Sequence, residues 1–120
     1  METEIILNIG TGYNSGQSQW SVEHIHGLVS GVFSRCSIVS TRPCSWIGSD
    51  GKEYAETTVV LRFPWPTCNH WNSVLLDILE TVRLELNQDA IAYATGTGLT
   101  GLVSAPGLGY DFDESQFLRV

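Results

Sequence analysis

Between Tyr54 and Phe63 the residues Ala55, Thr57, Val59, Leu61 and Phe63 alternate with Tyr54, Glu56, Thr58, Val60 and Arg62, and this period of two constrains the fold more than any other feature. A strand with one apolar and one mixed face belongs in a sheet whose apolar face is buried under another layer. The remaining segments must supply the partner strands and that cover.

Ile5 to Ile9 is a β-branched run closed by the glycine cluster Gly10-Thr11-Gly12-Tyr13-Asn14-Ser15-Gly16, which predicts a strand and then a turn. From Gln17 to Ser34, Val22, Ile25, Leu28, Val29, Val32 and Phe33 recur at helical spacing, with Ser15 or Ser18 as cap and with Trp20 and His24 on the opposite side. Ser37 to Thr41 predicts a second strand, followed by a loop through Pro43, Trp46 and Gly48 to an Asp50-Gly51 turn. Lys52 to Phe63 is the third strand. Pro64-Trp65-Pro66 should stop it, because proline has no N–H for a ladder. Thr67 or Asn69 can cap a second helix over Cys68 to Leu86, with the stripe Trp71, Val74, Leu75, Ile78, Leu79, Val82 and Leu86, and Asn87 is a left-handed stop. Gln88 to Ala94 is a last, small-residue strand.

The order strand, helix, strand, strand, helix, strand predicts an α+β, ferredoxin-like βαββαβ domain over residues 1–94, with a four-stranded antiparallel sheet and both helices on one face. Residues 95–120 hold Gly96, Gly98, Gly101, Gly107 and Gly109, yet Leu99, Leu102, Val103, Leu108, Tyr110, Phe112, Phe117 and Leu118 make them too apolar for a free linker. They are expected to pack as a tail on the domain or on a neighbouring subunit, with an added short strand as one form of that packing. The helix-free face would carry Ile6, Asn8, Tyr54, Glu56, Thr58, Val60 and Arg62, a mixed patch that a soluble monomer does not normally leave in water. A second subunit, the tail or a ligand would cover it, so a homo-oligomer is expected.

With 13 acidic and 6 basic residues the chain carries a net charge of −7, which argues against nucleic acid as a partner. Met1-Glu2-Thr3-Glu4 is acidic where a secretory signal is basic, and no apolar run approaches the roughly 20 residues of a membrane span. A cytoplasmic protein without a membrane partner is expected. Cys36, Cys44 and Cys68 are odd in number and widely spaced, so they read as free thiols.

Motifs for chemistry are sparse. The 10–16 glycine loop lies between strand and helix, where backbone N–H groups can hold an anion, but it lacks the Lys of a phosphate loop and reads as a turn. Gly96-Thr97-Gly98-Leu99-Thr100-Gly101 matches the dinucleotide string, yet only 19 residues follow it, too few for the helix and strand that motif needs. His24 and His26 diverge by about 200° on a helix, and a site from His24, Cys68 and His70 would need two helices to converge, so no metal is assigned. No cofactor is implied. Glu56 is the most informative charge: a mid-strand carboxylate among apolar and hydroxyl neighbours is desolvated, which raises its pKa and suits it to acid–base work, ligand contact or a structural hydrogen bond. No G-x-S-x-G elbow accompanies the many serines. Of four tryptophans, Trp71 fits the core stripe and Trp65 the core's end, while Trp20 and Trp46 divide between packing and interface.

Trp20, the Ser45-Trp46 pair, the Asp50-Gly51 turn, Glu56 and Gln88 together resemble a family of small ferredoxin-like bacterial and phage proteins known as a domain of unknown function. The likeness spans Ile5 to Ala94, with the family's acidic helix opening replaced by Gly16-Gln17-Ser18-Gln19. It implies the fold, no activity, and a common site for Trp46, Glu56 and Gln88. The leading expectation is a non-enzymatic oligomeric module that binds a small ligand through Trp46, Tyr54, Glu56, Arg62 and Gln88, or a protein partner, with Trp20, His24, Ile6 and Val60 at the interface. The alternatives are a small enzyme with Glu56 as acid or base, and a phage-type inhibitor of a host protein.

Overall fold

A computed structural model describes residues 1–14, 17–47, 51–107 and 114–119. Its strands are β1 (Glu2–Gly10), β2 (Gly12–Tyr13), β3 (Ser18–Gln19), β4 (Ser37–Ile47), β5 (Glu53–Pro66), β6 (Ala90–Thr95) and β7 (Thr100–Ser104); the helices are α1 (Val22–Ser30) and α2 (Asn69–Glu85). The main sheet is antiparallel in the order β4-β5-β1-β6-β7, and β2 and β3 form a separate two-stranded ribbon. Among the described residues no helix is long and apolar enough to cross a membrane.

The alternation works as the period of two requires. Ile5, Leu7 and Ile9 of β1 and Val59, Leu61 and Phe63 of β5 are buried on one face. Ile25 and Val29 of α1, Leu75, Leu79 and Val82 of α2, and Leu86 at the C-cap of α2 pack against them in a single core. Each such side chain contributes about 1.5–3 kcal/mol of burial. Phe33 closes one end, stacked on Phe63 at 3.9 Å.

The four-stranded ferredoxin-like expectation is corrected: the main sheet has five strands, and the glycine cluster adds a second sheet. The fifth strand is β7, from the segment expected to be a tail. Its one glycine, Gly101, is compatible with a strand because of packing: a Cβ there would fall 2.7 Å from the Tyr93 hydroxyl, so the Tyr93 ring occupies the space a side chain would need.

Other boundaries move for local reasons. Helix α1 begins at Val22, not near Gln17, because Ser18–Gln19 folds back to pair with Gly12–Tyr13. Its cap is Ser21, whose Oγ accepts the His24 N–H at 3.0 Å, in place of Ser18 or of Ser15, which lies outside the described residues. At its other end the helix stops at Ser30, so Val32 falls beyond it and is exposed. Strand β5 runs through Pro64 to Pro66; the prolines pair with Glu4 and Glu2 of β1 past the end of β4, where β5 is an edge strand and a missing N–H is tolerated. Helix α2 has Cys68 at its N-cap without a side-chain bond, and Asn87 with φ 51° follows its end. Trp71 is 38% exposed rather than in the core; its carbonyl accepts the Trp65 indole N–H at 2.9 Å.

The helix-free face is covered in part by the chain itself. Val60 and Ala94, which point away from the helices, are fully buried. Asn8 Nδ2 donates to Leu118 O at 2.8 Å and Leu118 N donates to Asn8 Oδ1 at 2.7 Å, which ties residues 117–119 across this face.

Candidate functional site

Ordering of the glycine segment starts with Thr11. Its N–H donates to Thr57 O at 2.8 Å and its Oγ1 accepts Thr57 N–H at 3.0 Å, which continues the β1–β5 ladder beyond Gly10. Gln19 reaches the same place, with Nε2 donating to Ala55 O at 3.2 Å and Oε1 accepting the Thr11 hydroxyl. The backbone of Gly12 is thereby laid over the end of β5 that carries Glu56.

Glu56 then meets Gly12 directly: its Oε2 accepts the Gly12 N–H at 3.0 Å. A Cβ on Gly10 would lie 2.7 Å from Oε1 and a Cβ on Gly12 2.5 Å from Oε2, so the carboxylate occupies space that only glycine leaves open. On the neighbouring strand Cys44 stands opposite Glu56 in register, and its thiol donates to Oε1 at 3.7 Å. The sulfur is also 3.1 Å from Thr58 Oγ1. Burial raises the Glu56 pKa, and the Gly12 N–H and the Cys44 thiol hold it down in part. Burial also raises the Cys44 pKa; the Thr58 hydroxyl works against this and the Glu56 charge adds to it. The thiol is therefore a protonated donor, not a nucleophile. Burial pushes Cys36 up to about 11, which makes it equally inert.

Gln88 holds the other side of the same residue. Its Nε2 donates to Gly12 O at 2.9 Å and to Leu86 O at 3.3 Å. Buried Arg83 fixes Gln88 through NH1 to Gln88 O at 3.0 Å and is itself paired with Glu80. Beside this support Tyr13, Trp20 and His24 stack in series at 4.1 and 4.4 Å, with Trp20 Nε1 donating to Leu86 O at 2.8 Å.

The residues singled out in the sequence are thus divided. Glu56 and Gln88 converge on Gly12 from opposite sides, and Gln88, 8% exposed, acts as support behind it. Tyr54 lies on the Glu56 face of β5, and Trp46 pairs with it in β4, although the Trp46 ring and Asp50 fall outside what is described. Arg62 is separated from Glu56 by six residues of strand, about 20 Å. It lines a cleft of about 250 Å³ with Glu4, Arg35, Ser37, Phe63 and Pro64, where Arg35–Glu2 and Arg62–Glu4 ion pairs offset the positive charge. Trp20 and His24 are in the aromatic stack; Ile6 is half-buried and Val60 fully buried within the single chain.

Sequence reasoning does not bring Gly10, Gly12, Cys44 and Thr58 to Glu56: the 10–16 loop reads as a turn, Cys44 as a free thiol and Thr58 only as part of the helix-free face. The register would have placed Cys44 beside Glu56 had β4 been carried past Thr41 to Ile47; nothing local signals that Gly12 N–H faces Glu56.

No protein-family model matches the sequence, and no curated protein is significantly similar to it. Two solved structures are similar in fold. One is a phage SAM lyase in the apo state, with a TM-score of 0.65 and 11% identity over 87% of this chain and 90% of that one. The other is a phage SAM lyase in complex with S-methyl-5′-thioadenosine, also with a TM-score of 0.65 and 11% identity, over 92% of this chain and 93% of that one. At this identity the likeness is one of fold, along nearly the whole length of each chain.

Proposed function

We propose that the chain is a small lyase that cleaves S-adenosylmethionine (SAM) or a closely related sulfonium, with release of S-methyl-5′-thioadenosine, at the site centred on Glu56. The observation that carries this is the half-buried Glu56 carboxylate, gripped by Gly12 N–H at 3.0 Å between two glycines, in a fold like that of a protein solved with S-methyl-5′-thioadenosine. The reading takes the place of the non-enzymatic module.

The chemistry suits the site. When the carbon–sulfur bond breaks, its electron pair returns to sulfur and the thioether leaves neutral. The four-carbon fragment is balanced either by loss of a proton or by closure of its own carboxylate onto the carbon that bore sulfur. In both routes the substrate arrives with a sulfonium charge, and a partly desolvated carboxylate attracts it more strongly than one in water. In the first route Glu56, with its pKa raised by burial, is also the base.

The test is incubation of the purified protein with SAM, with chromatography of the nucleoside and proton NMR of the four-carbon product. Stoichiometric appearance of S-methyl-5′-thioadenosine is expected, with kcat/KM for Glu56→Gln lowered at least about 100-fold. No thioadenosine above the protein-free control, or full activity in Glu56→Gln, would rule out this function.

A further inference from the structure

The site contains a second polar group that faces the carboxylate and has no role so far. Cys44 and Glu56 are cross-strand partners, Thr58 follows on the same face of β5, and their polar atoms form a short chain. The Cys44 thiol donates to Glu56 Oε1 at 3.7 Å, so its sulfur is left to accept, and the Thr58 hydroxyl at 3.1 Å is the donor that can use it. The order is Thr58 O–H to Cys44 S–H to the Glu56 carboxylate.

We propose that Cys44, oriented by Thr58, is the positioning residue of this site: its thiol holds Oε1 while Gly12 N–H holds Oε2, so that the carboxylate is fixed from both ends. The inference rests on the Proposed function for its catalytic meaning. Its geometric content, that the thiol sets the state of Glu56, does not.

Several features support it. Oε1 lies in the space that Gly10 leaves open by having no side chain, on the side of the carboxylate where the thiol reaches it. Among the described residues the carboxylate is bonded by the thiol and by one backbone N–H; without the thiol, Oε1 would lose its bond from these residues while half-buried beside glycine. An unmet acceptor in such surroundings is costly, and a chain of donors polarises its last member. Among the described residues the carboxylate is bonded by the Gly12 N–H and the Cys44 thiol, with Gly10 and the Gln19 amide beside it, and it forms no ion pair with a cation there.

Two readouts on the full chain test this. Carboxyl carbon NMR of the Glu56 titration, without substrate, is compared among wild type, Cys44→Ala, Cys44→Ser and Thr58→Val. Removal of the donor should raise the Glu56 pKa in Cys44→Ala. The shorter, stronger hydroxyl donor should lower it in Cys44→Ser, and Thr58→Val should move it as Cys44→Ala does, but less. The pH profile of thioadenosine release should shift in the same order, with kcat reduced about three- to tenfold in Cys44→Ala and restored in Cys44→Ser. Titrations that are indifferent to Cys44, or that move in the same direction in the Ala and Ser variants, would overturn the proposal. If the NMR order holds but SAM is untouched, the lyase reading fails and the positioning of Glu56 stands. If SAM is cleaved with no response to Cys44, the reverse is true.

Discussion

Gly12→Ala tests the contact on which the site depends. The new methyl would sit 2.5 Å from Glu56 Oε2, far inside normal contact distance, and 3.2 Å from Gln19 Nε2, a tight contact. The φ angle at Gly12 is not in the left-handed region, so alanine is not excluded by the backbone, and on its own the change would stabilise the protein by about 0.4–1 kcal/mol through the unfolded chain. The carboxylate must yield, however, and loses the 3.0 Å bond from Gly12 N–H, a hydrogen bond to a charged group that contributes about 1.5–3 kcal/mol. The net expectation is a loss of about 1–2 kcal/mol at pH 7, or a fall of about 4–8 °C in Tm for a domain of this size. In a Glu56→Ala background the severe conflict is gone, only the 3.2 Å contact with the end of the flexible Gln19 side chain is left to relax, and Gly12→Ala should stabilise. Urea unfolding of the four proteins of this double-mutant cycle should give a coupling energy of about 2 kcal/mol. Equal effects of Gly12→Ala in both backgrounds would refute the reasoning.

Two further outcomes follow from the same contacts. Because burial raises the Glu56 pKa in the folded state, its contribution to stability is full below the unfolded carboxylate value of 4.5 and is lost as pH rises through the folded value. Urea midpoints should therefore show wild type falling relative to Glu56→Gln from pH 4 to pH 7, and a difference constant with pH would contradict the burial. Asn8→Ala removes both bonds that tie Leu118 to β1; Leu118 amide exchange should accelerate at least about tenfold and the C-terminus should become sensitive to chymotrypsin, whereas unchanged protection would show that other contacts hold the segment.

The α+β character and the single core were legible in the sequence, because period and propensity are local. The alternation of β5, the stripe Leu75, Leu79, Val82 and Leu86, and the left-handed Asn87 are each decided within a few residues. Glu56 was legible for the same reason: a carboxylate in the middle of an alternating strand is anomalous wherever the strand lies. The strand count was not. The 95–120 segment shows only that it must pack; β7 forms because β6 offers a free edge and the Tyr93 ring fills the space above Gly101. The partners of Glu56 come from residues 12 and 44, and Gln88 reaches Gly12 across 76 positions. No local period reports such contacts. They depend on strand register and on the path of a glycine segment, and both are settled when the separated strands pair.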